Sequence, residues 1–154
     1  YEVRYQLGEM DIFFDGFERD TVIFADIEQC SAILCEILSN ALAAQKKLIE
    51  TAGNSGFEED LQLSLSFNII QEDNYLIVES KNKTPRHTKD LNQLLKIGEK
   101  EYSSGKDNLG IGLSAISSAM RRWEGFLSLE EVEEKESCIF ITRLYFPSEK
   151  NENP

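Results

Sequence analysis

The sequence predicts an α+β domain in which hairpins of paired strands alternate with amphipathic helices. Three observations carry this. Leu61, Leu63, Leu65, Phe67 and Ile69 alternate with polar residues, Glu72-Asp-Asn74 turns the chain, and Tyr75-Leu-Ile-Val78 returns it as the second strand of a hairpin. Ile27, Cys30, Leu34, Ile37, Leu38 and Ala41 recur at spacings of three and four, the apolar stripe of a helix packed on one side. Leu113, Ile116, Met120 and Trp123 repeat that stripe. A second hairpin then follows, from Phe126 to Leu129 and from Cys138 to Tyr145.

The elements in order are these. Val3, Tyr5 and Leu7, then Asp11-Ile-Phe-Phe-Asp15, read as two short extended segments, and Thr21-Val-Ile-Phe24 as a brief strand. Asp26 is an N-cap with Gln29 three residues on, and the helix it opens is expected to reach Leu48 or Glu50. After the first hairpin, Asn82-Lys-Thr-Pro85 breaks regular structure, and Thr88 can cap a short helix carrying Leu91, Leu94 and Leu95. Residues 98–108 are polar, lack an apolar period and read as a mobile loop. The next helix is expected to start near Leu113 and to stop with Gly125 at C′. The charge run Glu130-Glu-Val-Glu-Glu-Lys-Glu136 reads as the solvated tip of the last hairpin.

Composition bounds the function. A chain of 154 residues that is 41% hydrophobic is enough for one domain with a core. The parts are lead-in strands over residues 1–20, a main domain over 21–147 and a polar tail over 148–154. With 16 basic against 28 acidic side chains the net charge is −12, which disfavours nucleic acid and anionic membranes as partners. Cys30, Cys35 and Cys138 form no paired motif, which argues against a disulfide framework or a zinc site and for a reducing, cytoplasmic setting. No run approaches the roughly twenty apolar residues of a membrane span. Because the first residue is Tyr1, the chain is read as a piece of a longer protein, and an integral membrane parent stays open.

The chemistry concentrates in two motifs. Asn108-Leu-Gly-Ile-Gly-Leu113 is a glycine-spaced turn running into a helix, so that backbone N–H groups and the helix N-terminus can approach a polyphosphate with no Cβ in the way. Glu36-Ile-Leu-Ser-Asn40 puts a carboxylate and an amide one helical turn apart, within about 40° of each other and off the centre of the apolar stripe. That pairing suits orienting a water and ligating a divalent cation beside phosphates. Together the motifs point to a magnesium–ATP site.

The order of Glu-x-x-x-Asn helix, hairpin, loop, Gly-x-Gly turn, helix and hairpin resembles the GHKL ATPase superfamily. That group joins gyrase-type topoisomerases, ninety-kilodalton heat-shock chaperones, mismatch-repair ATPases and histidine kinases. Leu34-Cys-Glu-Ile-Leu-Ser-Asn-Ala-Leu-Ala-Ala44 looks like its N box and Leu109-Gly-Ile-Gly-Leu113 like its G2 box, within a likeness running from about Val22 to Phe146. The spacing is most similar to the ATP-binding domains of peptide-pheromone sensor histidine kinases. The resemblance implies a two-layer α/β sandwich, with helices on one face of a mixed, largely antiparallel sheet and ATP between the helices under a lid.

Carried over by position, Asn40 would ligate magnesium. Glu36 would be the general base of gyrase-type members, although many histidine kinases have an amide there and an ordinary surface glutamate is the plain alternative. Gly110 and Gly112 would allow close approach to the phosphates, beside Asn108 and the helix end at Leu113, and Lys106 could reach a phosphate from the lid. The resemblance has two departures. Val78-Glu-Ser-Lys-Asn-Lys-Thr-Pro85 stands where the superfamily usually has Asp-x-Gly-x-Gly, which leaves Asn82 as the candidate for the adenine end. Ala43 stands where many kinases have a basic residue, with Lys46 and Lys47 following on the same helix.

The function these residues imply is the ATP-binding catalytic domain of a two-component sensor histidine kinase. It would move the γ-phosphoryl group of Mg-ATP to a histidine on an upstream helix, since His87, the sole histidine here, lacks the helical context of an acceptor. The partners implied are the dimerisation and phosphoacceptor helices of the parent, a response regulator and, for the full-length protein, a second copy, with no direct membrane contact by this domain. Two alternatives stand beside it. One is an anti-sigma-factor type of serine kinase, and the other a degenerate docking module of the same fold that no longer binds ATP.

Overall fold

The computed structural model describes residues 3–7, 10–16, 23, 25–55, 64–85, 109–134 and 137–148. The two extended segments expected in the opening stretch are strands β1 (Val3–Leu7) and β2 (Met10–Asp15), which pair antiparallel. They do not stand apart as a lead-in, because β2 pairs in parallel with β3 (Ser64–Glu72) and so extends the main sheet. β3 turns through Asp73, in the left-handed region at φ 52°, into β4 (Tyr75–Thr84). β5 (Phe126–Glu133) and β6 (Cys138–Pro147) complete a six-stranded mixed sheet in the order β1-β2-β3-β4-β6-β5. Of the brief strand expected at residues 21–24, only Ile23 lies among the described residues, and it bridges Ser148.

Helix α1 (Ile27–Ser55) starts where its cap dictates: Asp26 Oδ1 accepts the Gln29 N–H at 3.0 Å. It runs five residues beyond Glu50, and Thr51 donates its hydroxyl to the Lys47 carbonyl in the extra turn. Helix α2 (Leu109–Arg122) begins four residues before Leu113. Its C-terminus is a Schellman motif, with Gly125 N–H bonding to the Met120 carbonyl at 2.8 Å and Glu124 N–H to that of Arg121 at 3.1 Å. The left-handed residue at C′ is therefore Glu124, at φ 59°, and not Gly125 as the sequence suggests. Gly125 is required for another reason, since a Cβ there would collide with the Tyr145 carbonyl.

Both helices cover one face of the sheet. Ile33, Ile37 and Ala41 of α1 and Ile116, Ala119 and Met120 of α2 meet Leu65, Phe67, Leu76, Leu144 and Phe146 in one core. Register decides which residues face it. Phe67, Ser80, Thr142 and Leu129 lie in one row across the sheet, so even-numbered β4 residues point toward the helices and odd-numbered ones away. The outer face carries Glu79, Lys81 and Arg143, together with Tyr75, Phe126 and Tyr145, whose Phe126–Tyr145 rings stack at 4.1 Å.

Two expectations are corrected. Asn82, Lys83 and Thr84 do not break the chain but continue β4, Asn82 paired with both β3 and β6 and Lys83 and Thr84 with β6. Glu130 to Glu133 do not form a solvated tip but pair with Ile141 to Cys138. Glu130 is held in the strand by Arg143, whose Nη1 donates to its Oε2 at 2.6 Å. A run of acids tolerates a strand when a cation stands opposite.

Candidate functional site

Helices α1 and α2 flank a cleft of about 320 Å³, lined by Gln29 and Glu36 of α1 and by Gly112 and Arg122 of α2. Ile33, Ile116 and Ala119 also line it. Glu36 is half-buried and reaches across to α2: a Cβ on Gly112 would lie 2.6 Å from Glu36 Oε1. A glycine is thus needed at 112 for the carboxylate to lie where it does. Asn40, also half-buried, follows one turn along α1.

The earlier start of α2 changes which groups are available there. Gly110 and Gly112 belong to the helix itself rather than to a preceding turn. The first N–H groups of a helix lack partners inside it, so the free donors belong to the residues around Leu109, Gly110 and Ile111. Leu113 does not carry this role. Its N–H falls inside the hydrogen-bonded part of the helix, and its side chain is a core residue, 3% exposed. Lys106 and Asn108, along with the expected lid and short helix, lie outside the described residues.

Asn82 sits on the helix-facing side of β4, between Leu65 and Phe140 in the rows of the sheet, with its Nδ2 donating to the Lys83 carbonyl at 3.1 Å. It therefore shares a layer with the α1–α2 cleft. Sequence reasoning missed its neighbours on that face. Ser80, Thr84 and Thr142 are 2%, 3% and 5% exposed, and Ser80 and Thr142 are direct partners in the row next to Asn82. The available signal was a serine standing in core phase behind Leu76 and Val78, hidden once the strand was ended at Val78.

The titratable groups with shifted affinities lie elsewhere. Burial alone would push Glu79 up, but hydrogen bonds from Arg143 and Lys81 and their charges outweigh it and hold the carboxyl below its ordinary range. Arg143 Nε donates to Glu79 Oε2 at 2.7 Å, and Lys81 Nζ lies 3.2 Å from Oε1. The bond to Glu130 raises the Arg143 affinity for its proton, against desolvation and with help from Glu79. On α1, burial first and the Asp26 charge second push the Cys30 thiol up, which makes it a poor nucleophile. Among the described residues no helix is long and apolar enough to cross a membrane.

No family model matches this chain, and no curated protein matches it significantly. Solved structures do. The catalytic domain of the histidine kinase ThkA, in a nucleotide-free form, superimposes with a TM-score of 0.59 at 16% identity over 89% of this chain and 80% of that one. The mycobacterial sensor histidine kinase MprB gives 0.59 at 11% identity, over 92% and 83% of the two chains. The Acinetobacter baumannii histidine kinase AdeS gives 0.52 at 12% identity, with 89% of this chain spanning 54% of that one. At such identities the likeness is one of architecture, and by architecture this chain has the fold of the histidine-kinase catalytic domains.

Proposed function

We propose that this chain is the ATP-binding catalytic domain of a sensor histidine kinase, of the peptide-pheromone type, which moves the γ-phosphoryl group of Mg-ATP to a histidine on another helix of its parent. The observation that supports this most is the approach of Glu36 on α1 to Gly112 in the glycine-bearing first turn of α2, with Asn40 one helical turn further along α1. A carboxylate on α1 thus lies against the first turn of α2, whose N–H groups lack partners within the helix, and an amide follows one turn along. Those are the parts a polyphosphate and its cation require.

The donor set fits magnesium. Among the described residues no three His, Cys, Asp or Glu side chains gather, so a cation beside Asn40 would take most of its ligands from phosphate and water. Magnesium favours that arrangement, because it dehydrates reluctantly and accepts one or two protein oxygens. Bound there, it would neutralise phosphate charge. Asn40 would supply an amide oxygen, Glu36 would orient or accept a proton from the attacking group, and Leu109, Gly110 and Ile111 would donate backbone N–H groups to phosphate oxygens.

The parent's dimerisation helices and a response regulator are the partners this reading implies. A docking module without nucleotide is the second reading, and it draws on the neutral Asn82 where a carboxylate is usual. Calorimetric titration with ATP, with and without magnesium, separates them. The wild-type chain should bind Mg-ATP, and Asn40→Ala should weaken magnesium-dependent binding by on the order of tenfold or more with an unchanged circular dichroism spectrum. Equal binding by Asn40→Ala removes Asn40 from the site. No binding by the wild type leaves the docking module.

A further inference from the structure

On the helix-facing side of the sheet, two hydroxyls are buried in an otherwise apolar row. Phe67 and Leu129 flank Ser80 and Thr142, which face each other as direct partners between β4 and β6. The residues are 2% and 5% exposed. Neither hydroxyl hydrogen-bonds a described residue, and neither oxygen is fully enclosed. An unpartnered hydroxyl in a core costs about 1–3 kcal/mol, and alanine or valine would fill the same space without that cost. Polar groups kept there at a cost to stability call for a partner from outside the described residues.

Their position limits what that partner is. Ser80 is two residues before Asn82 on the same face, roughly 7 Å along the strand, about the width of a purine. Cross-strand partners stand roughly 5 Å apart, so the two hydroxyls can address neighbouring atoms on one ring edge. Each hydroxyl donates and accepts, whereas a carboxylate only accepts. Resting on the nucleotide reading above, we infer that Ser80 and Thr142 are the base-specificity residues of the site. One hydroxyl donates to N1 of adenine and the other accepts from its 6-amino group, which replaces the missing aspartate with two neutral groups one row deeper in the sheet.

The test pairs a ligand change with a protein change. Mg-ATP and the magnesium complex of purine riboside triphosphate, which lacks the 6-amino group, are titrated into the wild-type chain and into the double variant Ser80→Ala, Thr142→Val, and each protein is melted without ligand. The wild type should prefer ATP by about three- to tenfold, the worth of one neutral hydrogen bond. The double variant should lose that preference and melt at the same or a higher temperature. A preference for ATP that survives in the double variant overturns the inference and leaves the nucleotide reading standing. A large fall in melting temperature also overturns it, since the hydroxyls would then be holding the core. If the wild type binds neither nucleotide, the proposed function and this inference both fail.

Discussion

On the outer side of β4, Glu79 is 5% exposed yet stays charged, because Arg143 and Lys81 both reach it and Arg143 also holds Glu130. On the inner side of the same strand, Ser80 is 2% exposed and no described residue hydrogen-bonds its hydroxyl. Adjacent residues of one strand thus sit in opposite conditions. The outer group is charged and fully partnered, which is how burial of a carboxylate becomes tolerable. The inner group is neutral and has no hydrogen-bond partner among the described residues, a condition a hydroxyl tolerates better than a charge. Saturated networks hold a fold together, whereas a hydroxyl without a partner among the described residues is a place for a ligand to complete the structure.

Three experiments can break that comparison. The largest effect is expected from Arg143→Met, which strips Glu79 of its main partner and leaves only Lys81 to hold a buried carboxylate. Breaking such a pair costs about 3 kcal/mol, and the melting temperature should fall by on the order of 10 °C. Nucleotide affinity of the folded fraction should stay unchanged. Reduced affinity in a normally stable protein would show that the outer network belongs to the site.

A smaller effect follows from the depressed Glu79 affinity for protons. A carboxyl whose folded-state pKa lies below its unfolded value adds stability that is fully present above the unfolded pKa and is lost as pH falls through the folded one. Denaturant unfolding from neutral pH downward should therefore show stability declining below the ordinary glutamate range. In Glu79→Gln the decline should be shallower, and stability at neutral pH lower by about 1.5–3 kcal/mol. Parallel pH profiles for the two proteins would mean that Glu79 is no better held than a surface acid.

The smallest effect on stability should come from Gly112→Ala. The new methyl would meet the far end of a flexible side chain, Glu36, and displace its carboxylate rather than backbone. Alanine is also a better helix former than glycine by about 0.5–1 kcal/mol. Melting should thus be unchanged or a few degrees higher, while phosphoryl transfer by the parent protein slows. A lower melting temperature would identify the cleft as packing rather than as a site.

Much of this was legible in the residues. The Asp26 cap, the two hairpins and the apolar face of α2 are local patterns with periods of 3.6 and 2, and each appeared where its pattern put it. The stripe of α1 was met in part: Ile37 and Ala41 reach the core, but Ile27 and Leu34 are exposed and Ile33 is buried in their stead. Other errors fell at boundaries. α2 began earlier because glycine inside a first helical turn looks, in sequence, like a turn before a helix. β4 ran through Asn82 because its polar residues are matched row by row by β3 and β6, which no window on a single strand reveals. The acidic run entered β5 because Arg143, thirteen residues on, stands opposite Glu130.

The sequence by itself determined the α+β class, the order of elements and the residue types brought to the candidate site, because periodicity, capping and glycine spacing act within a few residues of one another. Only the tertiary structure decided that β2 joins the sheet in parallel beside β3, that Glu36 lies against Gly112, and that Ser80 faces Thr142 in the core. Each of these is a contact between segments far apart in the chain. Such contacts are set by strand register and by the crossing of helices over the sheet, and a one-residue slip in register would turn Ser80 outward and Glu79 into the core.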